Sequence, residues 1–116
     1  MLQLGIQIKF DDESWLESGK VALLEGIAKG GSISAAGRLM DMSCTRAWKQ
    51  VAEINRTFDE SLMMAEIGGR SGGRSVLTER GQELIRHYRA IEREARSATA
   101  AHRKAMQALF RESNRS

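Results

Sequence analysis

At 116 residues the chain has room for one domain with a modest core. Its single cysteine excludes an intrachain disulfide, and no apolar run approaches the ~18 residues of a membrane span. The net charge of +3 hides an asymmetry, because residues 1–66 hold 7 Lys/Arg against 10 Asp/Glu and residues 67–116 hold 11 against 5. Positive charge gathered at one end points to a polyanion partner or to a solvated basic helix.

Residues 2–10, LQLGIQIKF, alternate with period two. Leu2, Leu4, Ile6, Ile8 and Phe10 share one face, which predicts a half-buried strand. A lone strand needs a partner, later in the chain or in another subunit. Asp11, Asp12 and Glu13 end it in an acidic turn. No basic start followed by an apolar run is present, so no signal peptide is expected and the location expected is cytoplasmic. A helix is predicted from Ser18 to Gly30. Val21, Leu24, Ile27 and Ala28 form its apolar face, with Leu23 on the flank. Gly30-Gly31 stops it.

Ser32 to Phe58 reads as two helices joined by a tight turn. Ser34 is placed to cap the first. Ala35, Ala36 and Gly37 allow a close crossing. Asp41 falls in the turn, and Asp tolerates the left-handed conformation better than most residues. Ser43 is placed to cap the second helix. There Ala47, Val51, Ile54 and Phe58, at spacings of 4, 3 and 4, make one buried stripe. This is a helix-turn-helix pattern. Its bland reading is two core helices meeting at a corner.

Met64–Ile67 and Ser75–Thr78 are strand candidates around Gly68-Gly69-Arg70-Ser71-Gly72-Gly73-Arg74. A hairpin placed here is a wing. Its glycines let backbone N–H groups approach phosphate, and Arg70 and Arg74 supply charge. The competing reading is a loose linker. The glycine spacing does not match a nucleotide P-loop. Thr78 then caps a helix expected to run unbroken from Glu79 to about Glu112, roughly 50 Å. Along it Leu84, Tyr88, Ile91, Ala95, Ala98, His102, Ala105 and Leu109 recur at alternating spacings of 4 and 3. That is a coiled-coil seam, and an amphipathic helix this long needs a partner to bury its stripe. The alternative is a helix folded back on its own domain.

On the second helix of the helix-turn-helix the outward positions are Ser43, Cys44, Thr45, Trp48 and Lys49, with Arg46 beside them. A DNA-reading helix points such residues at base edges and phosphates. Arg46 and Lys49 suit phosphate. Ser43 has capping as its rival role, and Trp48 has partly buried packing. Cys44 reads as a small helix-start residue, with oxidation sensitivity left open. The predicted fold is mainly α with a small β hairpin. An N-terminal strand and turn (1–17) and a winged helix-turn-helix (18–78) lead into a long dimerisation helix (79–116) whose interface is Leu84, Tyr88, Ile91, Ala95, Ala98, Ala105 and Leu109. His87 and His102 lie fifteen apart on one helix, and no catalytic set, metal cluster or cofactor motif is visible. The expectation is a non-enzymatic regulator that binds double-stranded DNA as a homodimer. A protein–protein interaction module working through the last helix is the rival.

The run GKVALLEGI, then GSISAAGRL, DMSCTRAW and GG..GG..VLTERGQELI, resembles the N-terminal DNA-binding domain of the molybdate-responsive ModE regulators. More distantly it is similar to the winged helix of LysR-type regulators. The resemblance covers residues 18–90. It implies a winged helix-turn-helix, a homodimer built through the long helix, and a partly palindromic operator. Full ModE proteins carry C-terminal molybdate-binding domains. Nothing of that kind precedes Ser116, so molybdate binding is not expected of this chain alone. Asp41 stands where relatives often have glycine, and Cys44 where they often have an aromatic.

Overall fold

The hydrophobic pattern of the first half folds into three helices around one core. In the computed structural model, which describes residues 2–58, 62–65 and 75–110, the order is β1 (Ile8–Lys9), β2 (Trp15–Leu16), α1 (Ser18–Gly30), α2 (Ile33–Leu39), α3 (Cys44–Thr57), β3 (Met63–Ala65), β4 (Ser75–Leu77), α4 (Glu79–Ala98) and α5 (Ala100–Leu109). Leu23, Leu24 and Ile27 of α1, Ile33 and Ala36 of α2, and Ala47, Val51 and Ile54 of α3 meet Leu62 and Met63 in the main core. Burying each large aliphatic side chain contributes about 1.5–3 kcal/mol. Packing therefore outweighs the helix caps, at about 1 kcal/mol each. Leu23 is fully buried and Ala28 exposed, the reverse of the sequence expectation. Helix α1 is covered on two sides, by α2–α3 and by α4, so its buried face is wider than one stripe and centres nearer Leu23.

A second cluster joins Leu16, Val21 and Tyr88, with Ile6, Ile8, Leu84 and Ile85 packed against it. The expected nine-residue strand is shorter as a ladder. Only Ile8 pairs with Leu16 and Lys9 with Trp15. The alternation still holds as burial, with Leu2, Leu4, Ile6 and Ile8 half-buried and the residues between them exposed. Phe10 departs from that face. Its amide donates to the Ser14 carbonyl at 2.8 Å as the chain turns, and its ring meets Phe58 edge-on at 5.2 Å. Lys20 is only 8% exposed. Its ammonium donates to the Trp15 carbonyl at 3.0 Å and sits 4.3 Å from the Trp15 ring centroid, so the buried charge is solvated by a carbonyl and an aromatic face.

Strands β3 and β4 pair antiparallel, Met63 with Leu77 through Ala65 with Ser75, so the first strand starts one residue earlier than expected. The loop between them, with Arg70 and Arg74, lies outside the described residues. The hairpin leads straight into α4, where the Thr78 hydroxyl accepts from the Gly81 amide at 3.2 Å. Gly81 is required there, since a Cβ would stand 2.5 Å from the Leu62 carbonyl oxygen.

Two side chains lock α4 to the domain. The Tyr88 hydroxyl donates to the Ile6 carbonyl at 2.7 Å. Arg89 grips both carboxylate oxygens of Glu25 on α1, at 2.7 and 3.1 Å, and also donates to Ser18 and Glu92. The hydrogen bond from Arg89 holds the Glu25 carboxyl below the usual carboxylate range, and Glu25 in turn raises the guanidinium further above its ordinary value. Burial, followed by the nearby Glu92 charge, pushes the Tyr88 phenol up.

The long helix is not unbroken. Thr99 leaves helical geometry at φ −106°, ψ 6° and separates α4 from α5. Its hydroxyl donates to the Ala95 carbonyl at 2.7 Å, a back-bond that competes with and bends a helix. Main-chain bonds still cross the joint, from Thr99 to Ala95 and from Arg103 to Thr99. The seam divides as well. Tyr88 is 1% exposed and Leu84 half-buried against their own domain, the two inner positions of the expected dimer seam. The first three turns of α4 are the part that covers the core. Beyond them Ile91, Ala98, Ala105 and Leu109 are exposed, Ala95 is half-buried, and α5 contains no buried residue.

Candidate nucleic-acid interface

The geometry of α2 and α3 starts from their caps. The Ser32 hydroxyl, not that of Ser34, accepts from the Ala35 amide at 3.0 Å and begins α2. Helix α2 therefore starts one residue after Ser32, and Ser34 lies inside its first turn. At the other end the Met42 amide donates to the Gly37 carbonyl at 2.8 Å, while Asp41 takes φ 56°. The left-handed turn expected at Asp41 is present. Gly37 permits the crossing, because a Cβ there would lie 3.0 Å from that of Ala47. Ser43 accepts from the Arg46 amide at 3.1 Å and caps α3. Its hydroxyl is thus engaged, the rival to base contact.

Ala47, Val51 and Ile54 anchor α3 in the core, so the opposite side faces solvent. Cys44, Thr45, Arg46, Trp48, Lys49, Ala52 and Arg56 are all exposed. The helix brings Cys44, Thr45, Arg46 and Lys49 together over its first turn and a half. The wing candidates Arg70 and Arg74 lie outside the described residues. The Cys44 sulfur lies 3.0 Å from the Ser34 hydroxyl, an approach that a capping role for Ser34 does not predict.

Trp48, an outward position with partly buried packing as its rival role, is 50% exposed. Two further cations of this face escape the sequence reading. Arg38 at the end of α2 and Arg56, two turns beyond Lys49, extend the cationic surface. The signal for Arg56 was in the chain, since i and i+7 fall on one helical face. Among the described residues no ion pair engages Arg38, Arg46, Lys49 or Arg56. No acidic residue sits in the first turn of α3, so the positive end of its dipole is unopposed there. The arrangement offers cations, a hydroxyl and an apolar ring to a polyanion. Among the described residues there is no group of His, Cys, Asp and Glu that could hold a metal. No helix among them is long and apolar enough to cross a membrane.

Three helices with a two-stranded hairpin behind the exposed helix define a winged helix-turn-helix module. The same fold is found in the crystal structure of a CbnR DNA-binding domain–DNA complex. That match has a TM-score of 0.60 and 19% identity, covering 78% of this chain and 99% of the other. A LysR family transcriptional regulator matches at a TM-score of 0.58 and 14% identity, over 78% of this chain and 29% of that one. By sequence the chain is similar to part of the ModE and Mop proteins. It is 36% identical over 83 residues to the molybdenum transport protein ModE of Azotobacter vinelandii, 72% of this chain and 31% of that protein. It is 40% identical over 73 residues to the molybdenum-pterin-binding protein MopA of Rhodobacter capsulatus, 63% and 28%. It is 32% identical over 86 residues to the DNA-binding transcriptional dual regulator ModE of Escherichia coli, 74% and 33%. The chain thus spans about a third of the length of these curated relatives. No protein-family model matches it.

Proposed function

We propose that this chain is a ModE-type transcriptional regulator that binds double-stranded DNA as a homodimer in the cytoplasm. The observation that carries the reading is the exposed, cation-bearing start of α3 on a helix-turn-helix whose other face packs into the core. Helix α3 enters the major groove by its N-terminal turn, bringing Cys44 and Thr45 to base edges. Ser43 orders that turn, and Arg46 and Lys49 hold the flanking phosphates. Arg70 and Arg74 are assigned to phosphates from the charge and glycine content of the wing loop. A two-fold axis through the outer part of the α4–α5 stripe sets two α3 helices on a partly palindromic operator. Their spacing is about 34–36 Å or a multiple of it.

The test is affinity for selected and scrambled duplexes over a salt series. Replacing Arg70 and Arg74 by alanine weakens all DNA alike and flattens the salt slope by about one unit for each phosphate these arginines neutralise. Binding that is independent of salt and of sequence overturns the reading. A second reading, a protein-interaction module working through the last helix, is favoured by the exposed Ile91, Met106, Leu109 and Phe110. It predicts a protein partner whose capture is unaffected by changes in α3.

A further inference from the structure

The exposed indole of Trp48 is the one large apolar group on the described surface of α3. It lies one helical turn beyond Cys44, on the same line of the helix. Ala47 and Val51, close to it in sequence, are buried, so the helix is already anchored without it. The same helix carries Arg46, Lys49 and Arg56, all exposed and none of them ion-paired among the described residues. A half-solvated ring on a helix whose exposed side is cationic is complementary to an anionic partner that also presents an apolar edge. In duplex DNA the apolar group on the major-groove edge is the C5 methyl of thymine.

We infer that Trp48 is a specificity-determining residue which reads thymine methyl groups one turn into the groove from Cys44 and Thr45. The inference rests on the DNA-binding reading above. Expelling water from between the indole and a methyl buries apolar surface that both expose in the free state. One methyl buried this way is worth about a fourfold change in affinity. The neighbouring cations hold phosphates and so carry no preference among bases. Trp48 therefore supplies a thymine preference distinct from the contact made at Thr45.

The experiment uses duplexes that the purified full chain retains from a randomised pool, resynthesised with uracil in place of thymine one position at a time. Uracil removes only the methyl. The expected result is a loss of about fourfold for the parent at one position in each half-site. Trp48→Ala weakens binding to the thymine duplex and shows no further loss with uracil at that position. Trp48→Phe, which keeps an apolar ring, retains methyl sensitivity. The parent binding every uracil duplex as tightly as its thymine counterpart overturns the inference, as does Trp48→Ala keeping the parent's uracil penalty. In both of those outcomes the protein still prefers selected over scrambled DNA, so the DNA reading stands. Failure of the parent to bind any duplex at low salt instead removes both.

Discussion

Asp41 holds the turn of the helix-turn-helix at φ 56°, where a Cβ meets the following carbonyl and only glycine escapes the cost. Aspartate is tolerated there, and a β-branched residue is not. Asp41→Val is expected to lower stability by about 1–2 kcal/mol, and Asp41→Gly to leave it unchanged or raise it slightly, by denaturant unfolding. Ser43 has a different role, since its loss frees an amide at the tip of α3. Glu25 makes a third case, one that depends on pH. Its folded carboxyl is held below the ordinary range by the Arg89 hydrogen bond. The stability it contributes is complete above the ordinary carboxylate range and is lost as pH falls through the lowered value. Glu25→Gln therefore flattens the acid side of the stability profile. The carboxylate is 40% exposed, so solvent screens the pair and the change is modest.

Among the elements, the joint between α4 and α5 falls at Thr99, with Arg103 bonded to the Thr99 hydroxyl and to the Arg96 carbonyl beside it. Thr99 trades helical geometry for a hydroxyl bond to Ala95. Thr99→Ala is expected to restore one continuous helix and raise its stability by up to about 0.7 kcal/mol, seen as higher ellipticity at about 222 nm. The seam was legible in the sequence because hydrophobic period survives any fold. The joint was not, because a single threonine in a long polar helix carries no periodic signal. The same contrast runs through the rest of the chain. The limits of α1, the Ser43 cap and the Asp41 turn were readable from local chemistry. The choice of Ser32 over Ser34 turned on where the chain leaves Gly31, whose left-handed φ of 78° ends α1. The length of the β1 ladder turned on how soon β2 returns, two residues from α1. The inward turn of Tyr88 depended on Ile6, more than eighty residues away, and no short-range pattern reports that. On the interface side, Thr45, Arg46 and Lys49 followed from helical phase, whereas the exposure of Trp48 depended on how wide a face α3 gives to the core.

At the scale of the whole molecule, the question is which part of the last helix pairs with a second copy. The first three turns of α4 are already committed. Leu84, Ile85 and Tyr88 close the core, and Arg89 braces α1. Substituting aspartate at Leu84 or Tyr88 would therefore unfold the monomer and say nothing about association. Ile91 at 43% exposed and Leu109 at 86% exposed are the informative positions, one on each side of the Thr99 joint. Neither supports the core, so their loss leaves the fold intact. A homodimer built on this outer stripe predicts that Ile91→Asp plus Leu109→Asp halves the mass in sedimentation at micromolar concentration. Circular dichroism should stay close to that of the parent, since the buried clusters are untouched. The same variant should lose most of its affinity for a two-half-site duplex, because two linked binding events become independent ones. Its residual binding should match that of the parent for a single half-site. A parent that sediments as a monomer, or a double variant that keeps both its mass and its two-site affinity, places the partner of this stripe elsewhere.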